Sequence, residues 1–94
     1  MTRKVRLVSS AYRDLVRIVD FLSVRSPAAA LRAWDTLEAA TQSLGEFSER
    51  GRPGPEPGLR ELVVKFGSGA YVVQYRVDLE EIVVSRIFHG REDR

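Results

Sequence analysis

The chain has 94 residues, 44% of them hydrophobic and 30% charged, which predicts one folded domain over residues 1–94. Cysteine is absent, which excludes disulfides and thiol chemistry, and the charges scattered through the N-terminal region argue against a secretory signal. With no apolar run near the roughly 18 residues of a membrane span and a net charge of only +2, we expect a cytoplasmic protein that does not coat nucleic acid nonspecifically.

The basic residues are nearly all arginine. Only Lys4 and Lys65 among the 15 basic residues are lysines. A guanidinium makes planar, bidentate contacts with carboxylates and phosphates that an ammonium cannot make. The bias therefore suggests binding of anionic groups, although the codon usage of a GC-rich genome would produce the same enrichment.

The N-terminal region predicts a strand followed by a helix. Apolar and basic residues alternate over residues 3–8, as in a short strand. Ser9 or Ser10 is the expected N-cap of a helix over residues 11–24. The buried stripe of that helix is predicted to comprise Tyr12, Leu15, Ile18, Val19, Phe21 and Leu22. The other side carries Arg13, Asp14, Arg17 and Asp20.

A second helix is predicted to begin at Ser26-Pro27. Serine is a good N-cap, and proline fits the first helical position because its missing N–H would have no partner there. We expect this helix over residues 27–47, antiparallel to the first because the link is short. Its inner face is predicted to comprise Leu31, Trp34, Leu37, Thr41 and Leu44, with Trp34 as a packing anchor.

The C-terminal part predicts a three-stranded meander after a loop. Three prolines and three glycines stop the helix and predict a loop over residues 48–58. Strands are predicted over residues 59–66, 70–77 and 81–88, with turns between them. The expected fold is α+β with the order β-α-α-β-β-β, a helical hairpin packed on one face of a small, mostly antiparallel sheet.

Alternation along the strands predicts which face of that sheet is open. The larger apolar residues, including Tyr71 and Tyr75, should meet the helices, which leaves Lys65, Gln74 and Arg76 on the open face. The last strand is apolar on both sides, as a central strand should be. We expect Arg86 on the open face or at the end of the sheet, because arginine is seldom buried without a partner.

The order of these segments resembles the RelE/ParE superfamily of toxins from bacterial type II toxin–antitoxin systems, over essentially the whole chain. The matching pieces are the helix start at Ala11, Asp14 and Leu15, the Ser26-Pro27 restart, Gly51-Arg52-Pro53, RELVVKFGSGAYVVQYRV and the ending RIFHGRED. The resemblance implies a toxin that halts growth, acts in plasmid stabilization and is wrapped by a cognate antitoxin. It implies no cofactor, and one histidine with scattered carboxylates does not have the spacing of a metal site.

The superfamily divides by target, and the resemblance favours one branch. RelE-like toxins cleave messenger RNA in the ribosome with basic residues on the open face, whereas ParE-like toxins inhibit DNA gyrase. Lys65 matches one nuclease position, but Val72 stands where a further basic residue is expected, and no tyrosine ends the chain. The ending with Arg86 and His89 is closer to ParE-like members. The resemblance thus implies a gyrase inhibitor, with two alternatives: a ribosome-dependent nuclease that uses Lys65, His89 and Arg91, or a non-toxic antitoxin-binding relative.

The candidate residues for contact with the target or the antitoxin lie in the C-terminal third. They are Arg60, Lys65, Arg76, Arg86, His89 and Arg91. Each has a simpler reading: a solvated charge, for Arg60 a pairing with Glu61 or Glu80, and for His89 a satisfied hydrogen bond. An Arg-rich surface predicts an antitoxin segment, helical or extended, in which acidic and apolar residues alternate.

Overall fold

Two helices pack on one face of a five-stranded sheet in the computed structural model, which describes residues 2–90. The elements are β1 (Lys4–Leu7), α1 (Ser9–Arg25), α2 (Pro27–Ser43), β2 (Arg52–Pro53), β3 (Arg60–Phe66), β4 (Gly69–Val77) and β5 (Glu81–His89). The strand order is β1-β5-β4-β3-β2, in which β1 runs parallel to β5 and the other pairs are antiparallel. The predicted α+β fold is confirmed, and the short β2 within the predicted loop is an addition. Within residues 2–90 neither helix is long and apolar enough to cross a membrane.

The core lies between the helices and the face of the sheet that alternation predicted. The strands contribute Leu62, Val64, Tyr71, Val73, Tyr75, Ile82, Val84 and Ile87, and the helices contribute Ala11, Leu15, Ile18, Leu37, Ala40 and Leu44. Each fully buried aliphatic or aromatic side chain of this size stabilises the fold by roughly 1.5–3 kcal/mol. The prediction that Tyr71 and Tyr75 belong to the core is confirmed.

The helix boundaries differ from the predicted ones in two places. The N-cap of α1 is Val8, so the expectation that Ser9 or Ser10 caps this helix was wrong. Both serines lie in the first turn, and Ser10 Oγ donates to the Ser85 carbonyl at 3.0 Å instead. α2 ends at Ser43 and not at residue 47. The predicted cap at Ser26 is confirmed, since its Oγ accepts the Ala29 N–H at 3.1 Å.

The inner face of α2 is rotated from the predicted stripe. Leu31 is 67% exposed, so its assignment to the buried face was wrong. The face that packs inward is lined mainly by small residues, namely Ala30, Ala33, Leu37, Ala40 and Thr41. Trp34 packs against the core while only partly buried, as expected for an anchor at its margin.

A β-bulge and the short length of β1 together determine which groups of β5 face the helices near its C-terminal end. β1 stops at Leu7, which pairs with Val84, so β1 gives β5 no backbone partner from Ser85 onward. The register with β4 shifts there: Tyr75 pairs with Val84, and Gln74 pairs with Arg86. The extra residue changes which side chains face the helices. As a result Ile87 enters the core, and Arg86 lies level with Gln74 on the open face.

Candidate functional site

The candidate residues for partner contact are divided between the two faces of the sheet. Register places Arg60 opposite Tyr75 and His89 opposite Tyr71, which puts both on the face that meets the helices. It places Lys65, Arg76 and Arg86 opposite Ala70, Val83 and Gln74 respectively, on the open face. Arg91 lies outside the described residues. The predicted position of Lys65, Gln74 and Arg76 is therefore confirmed, but the full set does not form one cluster.

Arg60 holds a loop in place. Its Nη2 donates to the carbonyl of Glu49 at 3.1 Å and to the carbonyl of Gly51. The guanidinium thus bonds to the main-chain carbonyls of Glu49 and Gly51, and neither Glu61 nor Glu80 is its partner, contrary to the expected alternative. The same loop is held from the core by Tyr75, whose hydroxyl accepts the Gly51 N–H at 2.9 Å and donates to the Ser48 carbonyl at 2.8 Å.

Arg76 and Lys65 differ in what they bind on the open face. Arg76 Nη1 donates to the Pro57 carbonyl at 3.1 Å, and its Nη2 lies 3.7 Å from Glu56 Oε1, which ties it to the proline-rich loop. Lys65 is exposed, and its ammonium forms no ion pair within residues 2–90. Lys65 therefore presents its charge to solvent in the structure, whereas Arg76 is engaged.

Although register places Arg86 with the open face, its guanidinium reaches past the edge of β5 that β1 leaves uncovered and forms a bidentate ion pair with Asp14 of α1. Its Nε donates to Oδ2 at 2.7 Å and its Nη2 to Oδ1 at 3.2 Å. The same carboxylate accepts the Ile87 N–H at 2.9 Å, and Arg17 Nη2 lies 3.7 Å from it. Asp14 is only 7% exposed, so the prediction that it lies on the solvent side of α1 was wrong. The carboxylate supplies the acceptor that β1 does not reach far enough to provide.

A row of polar side chains crosses the open face at one level. Glu61 is 3% exposed, although a buried carboxylate is unusual unless it is paired. Gln74 Nε2 donates to Glu61 Oε2 at 2.8 Å, and Arg52 Nη2 lies 3.6 Å from Oε1. Arg52, Glu61, Gln74 and Arg86 are consecutive register partners across four strands. Sequence reasoning missed Glu61, whose only signal was that alternation puts it on the same face as Lys65.

His89 belongs to an aromatic cluster at the end of the sheet. Its ring stands edge-on to Tyr71 with the centroids 5.5 Å apart, and Tyr71 lies 6.0 Å from Phe66. A cavity of about 300 Å³ between this cluster and α1 is lined by Arg17, Ile18, Phe21, Tyr71 and His89. Gly69 makes room for the imidazole, because a Cβ there would lie 3.2 Å from His89 Nε2. His89 therefore faces the helices, on the other side of the sheet from Lys65.

The candidate groups for acid–base chemistry and for charge stabilisation are separated in the structure. A general acid or base has to reach the atoms that its neighbouring cation stabilises. Within residues 2–90 the only imidazole, that of His89, and the ammonium of Lys65 lie on opposite faces of the sheet. Val72, on the open face, is an apolar residue that is 3% exposed.

Comparisons with known proteins find toxins that carry the names ParE and RelE. The sequence profile described as ParE toxin of type II toxin-antitoxin system, parDE, matches residues 5–94. Toxin RelE1 of Caulobacter vibrioides is 43% identical over 94 residues, which cover 100% of both chains. Toxin RelE3 of the same organism is 39% identical over 98% of this chain and 99% of its own length.

Solved structures show the same architecture. A chain of the chromosomal ParDE toxin–antitoxin system from P. aeruginosa superposes with a TM-score of 0.78 at 25% identity, covering 94% of this chain and 96% of that one. A chain of the RelBE2 toxin–antitoxin complex from Mycobacterium tuberculosis superposes with a TM-score of 0.63 at 23% identity. It covers 95% of this chain and 99% of its own, and this second likeness concerns the fold alone.

Proposed function

This chain belongs to the ParE toxin family of type II toxin–antitoxin systems, and from that premise we propose that it acts in the cytoplasm as an inhibitor of DNA gyrase. In this proposal the toxin binds a protein target without catalysis, and a cognate antitoxin neutralises it by covering the contact surface. The observation that carries the proposal is the division of the candidate residues between two faces of the sheet.

The requirements of RNA cleavage explain why this division matters. Cleavage through the 2′-hydroxyl needs a base for that hydroxyl, positive charge for the phosphorane and an acid for the leaving oxygen. Among residues 2–90, His89 faces the helices and Arg60 holds a loop, while Arg86 is paired with Asp14. Of the charged candidates described here, Lys65 alone stands on the open face without an ion-pair partner.

The open face suits a protein partner with acidic groups. Lys65 lies on β3 two residues from Val63, which is 41% exposed. The Arg52 side chain is 60% exposed at the edge of the same face. An exposed apolar residue between cationic side chains suits a protein interface, in which charge complementarity accelerates association and sets orientation.

A ribosome-dependent nuclease is the second candidate. Three relatives from Caulobacter vibrioides carry the name RelE, and register brings Lys65, Arg76 and Arg86 onto one face. Those cations share this face with the buried carboxylate of Glu61. In this alternative the open face would bind RNA and not protein.

Parallel assays on purified toxin test the proposal. We expect the wild-type toxin to block supercoiling of relaxed plasmid by gyrase and to leave translated messenger RNA intact. The chain's two lysines give a matched pair of variants, Lys65→Glu on β3 and Lys4→Glu on β1. Val5 pairs with the core residue Ile82, so Lys4 also points to the open face, but three strands away from Lys65. Lys65→Glu should weaken gyrase inhibition, and Lys4→Glu should leave it unchanged.

The contrary outcomes are distinct from one another. Cuts in translated RNA with supercoiling intact would show that the toxin is a nuclease. Induced expression without growth arrest, together with retained antitoxin binding, would identify a non-toxic relative. Equal loss of gyrase inhibition in both lysine variants would contradict a contact localised around Lys65, because Lys4 lies on the same face three strands away.

A further inference from the structure

Two strands of the sheet are longer than the strand beside them, so part of each has a neighbour on one side only. β5 continues past β1 from Ser85 to His89, and β3 continues past β2 from Leu62 to Phe66. Unpaired N–H and C=O groups in such a segment can accept a further strand. The two segments differ in whether side chains bond to these backbone groups.

The segment of β5 beyond β1 is partly capped by side chains of α1. Ser10 Oγ donates to the Ser85 carbonyl at 3.0 Å, and Asp14 accepts the Ile87 N–H at 2.9 Å. β1 itself, the terminal strand on this side, has only four residues, and the Arg3 N–H before it donates to the Gly45 carbonyl at 2.7 Å. A strand added here would have to displace α1 or pair with a very short edge.

The corresponding segment of β3 has no such closure. Phe66 and Gly69 pair across a two-residue turn, in which Gly67 has a positive φ of 59°. The pair that flanks such a turn is hydrogen-bonded, so the backbone groups of Leu62, Val64 and Phe66 bond to β4. By alternation the N–H and C=O groups of Val63 and Lys65 point away from β4. β2 pairs only with Arg60 and Glu61, and within residues 2–90 no hydrogen bond reaches the outward groups of Val63 and Lys65.

We propose that this segment of β3, residues 62–66, receives an extended segment of the cognate antitoxin as an added antiparallel or parallel strand. The inference rests on the proposed pairing with an antitoxin and specifies how that partner is held. Backbone bonds to Val63 and Lys65 would provide affinity, and side chains alternating between the two faces would provide specificity.

The chemistry of the edge identifies the occupant as an extended segment with alternating acidic and apolar residues. On the open face the added strand lies beside Lys65, an exposed cation that favours carboxylates opposite it. On the helix side it lies beside Val64 and the partly buried Phe66, which favour apolar side chains. A lysine on an edge strand also disfavours pairing with a second copy of the same basic edge.

Hydrogen exchange on the full toxin, free and in complex with the cognate antitoxin, tests the inference residue by residue. The amides of Val63 and Lys65 should exchange rapidly in the free toxin and slow by at least about tenfold in the complex, since hydrogen-bonded amides exchange through local opening. The amides of Leu62 and Val64, already bonded to β4, should be protected in both states.

A proline variant with a matched control isolates the backbone contribution. Val63→Pro removes the outward N–H at an edge position where proline is tolerated. Val63→Ala removes the side chain but keeps the N–H. We expect the antitoxin dissociation constant to rise about fivefold or more for Val63→Pro, the equivalent of one net hydrogen bond, and to stay within about twofold for Val63→Ala. Circular dichroism establishes that each variant is folded, and exchange on the wild type decides the matter if the proline variant is not.

Three results would overturn the added strand. A complex that forms while Val63 and Lys65 exchange as fast as in the free toxin places the antitoxin elsewhere. Protection of these amides that rises with toxin concentration without antitoxin means self-pairing. If toxin and antitoxin form no complex, the antitoxin cannot supply the added strand. Gyrase inhibition is measured separately, so a failure of that proposal is distinguishable from each of these.

Discussion

Replacement of Asp14 by alanine should destabilise the fold more than its place on a surface helix suggests. The carboxylate accepts the Ile87 N–H at 2.9 Å and the Arg86 Nε at 2.7 Å. Asp14→Ala removes both acceptors at once. It leaves a main-chain donor of β5 without a partner at a buried site, because β1 ends before it.

The size of the effect follows from the two contacts. An unsatisfied buried N–H costs about 1–3 kcal/mol. The Arg86 side chain is 51% exposed, so its ion pair is screened by solvent and contributes about 1 kcal/mol at most. The sum is about 3 kcal/mol, against roughly 5–14 kcal/mol for the free energy of unfolding of a domain of this size. The melting temperature should fall by about 12–24 °C.

Two further variants separate the contributions. Asp14→Asn keeps an oxygen that can accept the Ile87 N–H and loses the charge, so it should lower the free energy of unfolding by about 1 kcal/mol. Arg86→Ala leaves the Ile87 bond intact and should have a similarly small effect. Asp20→Asn, at an exposed position of the same helix, should change stability by less than about 0.5 kcal/mol.

Urea and thermal unfolding at neutral pH, followed by circular dichroism, measure these differences. The reasoning predicts the order Asp14→Ala, then Asp14→Asn, then Asp20→Asn. An Asp14→Asn variant as unstable as Asp14→Ala would show that the charge pair dominates and the Ile87 bond does not. A loss below about 1 kcal/mol in Asp14→Ala would refute the assignment of a buried, otherwise unsatisfied donor.

Four other changes probe the loop and the sheet. Tyr75→Phe removes the fully buried hydroxyl that bonds Gly51 N–H and the Ser48 carbonyl, and urea unfolding should show a loss of about 1–3 kcal/mol. Gly51→Ala would place a Cβ 2.6 Å from the Glu61 carbonyl oxygen, so it should destabilise by about 1–3 kcal/mol. A Cβ at Gly67 would meet no atom within 4 Å, so Gly67→Ala should show only the strain of a positive φ, about 1 kcal/mol. The hydrogen bond from Arg6 lowers the pKa of Glu81 below its usual 4.5, so the stability contributed by this pair is present above that value and lost as the pH falls through the lowered pKa. The difference in melting temperature between the wild type and Glu81→Gln should therefore be present at neutral pH and absent in strong acid.

Alternation along β3 and β4 was enough to predict the two faces of the sheet. Leu62 and Tyr75 entered the core and Lys65 stayed outside, because a strand of regular pleat turns successive side chains to opposite faces. The Ser26-Pro27 start of α2 was also predictable, since N-cap chemistry is local. These features depend on residues that are close together in the sequence.

The end of β5 was not predictable in this way. The bulge at Ser85 changes the facing of every later residue in the strand, and the sequence around Arg86 carries no glycine or proline to mark it. The position of Asp14 depends on where β1 stops beside β5, and these strands are more than 70 residues apart in the chain. Helical periodicity alone placed a charged residue at the solvent side, where charged residues usually lie.

The same misassigned carboxylate bears on partner binding. A small sheet whose strands end at different levels can associate through either side, which would permit several partner geometries. Asp14 and Ser10 bond to two of the backbone groups of β5 that β1 leaves unpaired, the Ile87 N–H and the Ser85 carbonyl. Pro53 gives β2 no N–H to donate. Residues 62–66 of β3, which include Lys65, extend beyond β2 and have no neighbouring strand on that side within residues 2–90. Loss of the Asp14 contact should therefore lower stability and also expose a second edge, so that an Asp14→Ala toxin would self-associate at concentrations where the wild type does not. Sedimentation of the two proteins at matched concentration measures this, and a monomeric Asp14→Ala toxin would contradict the protective role of the contact.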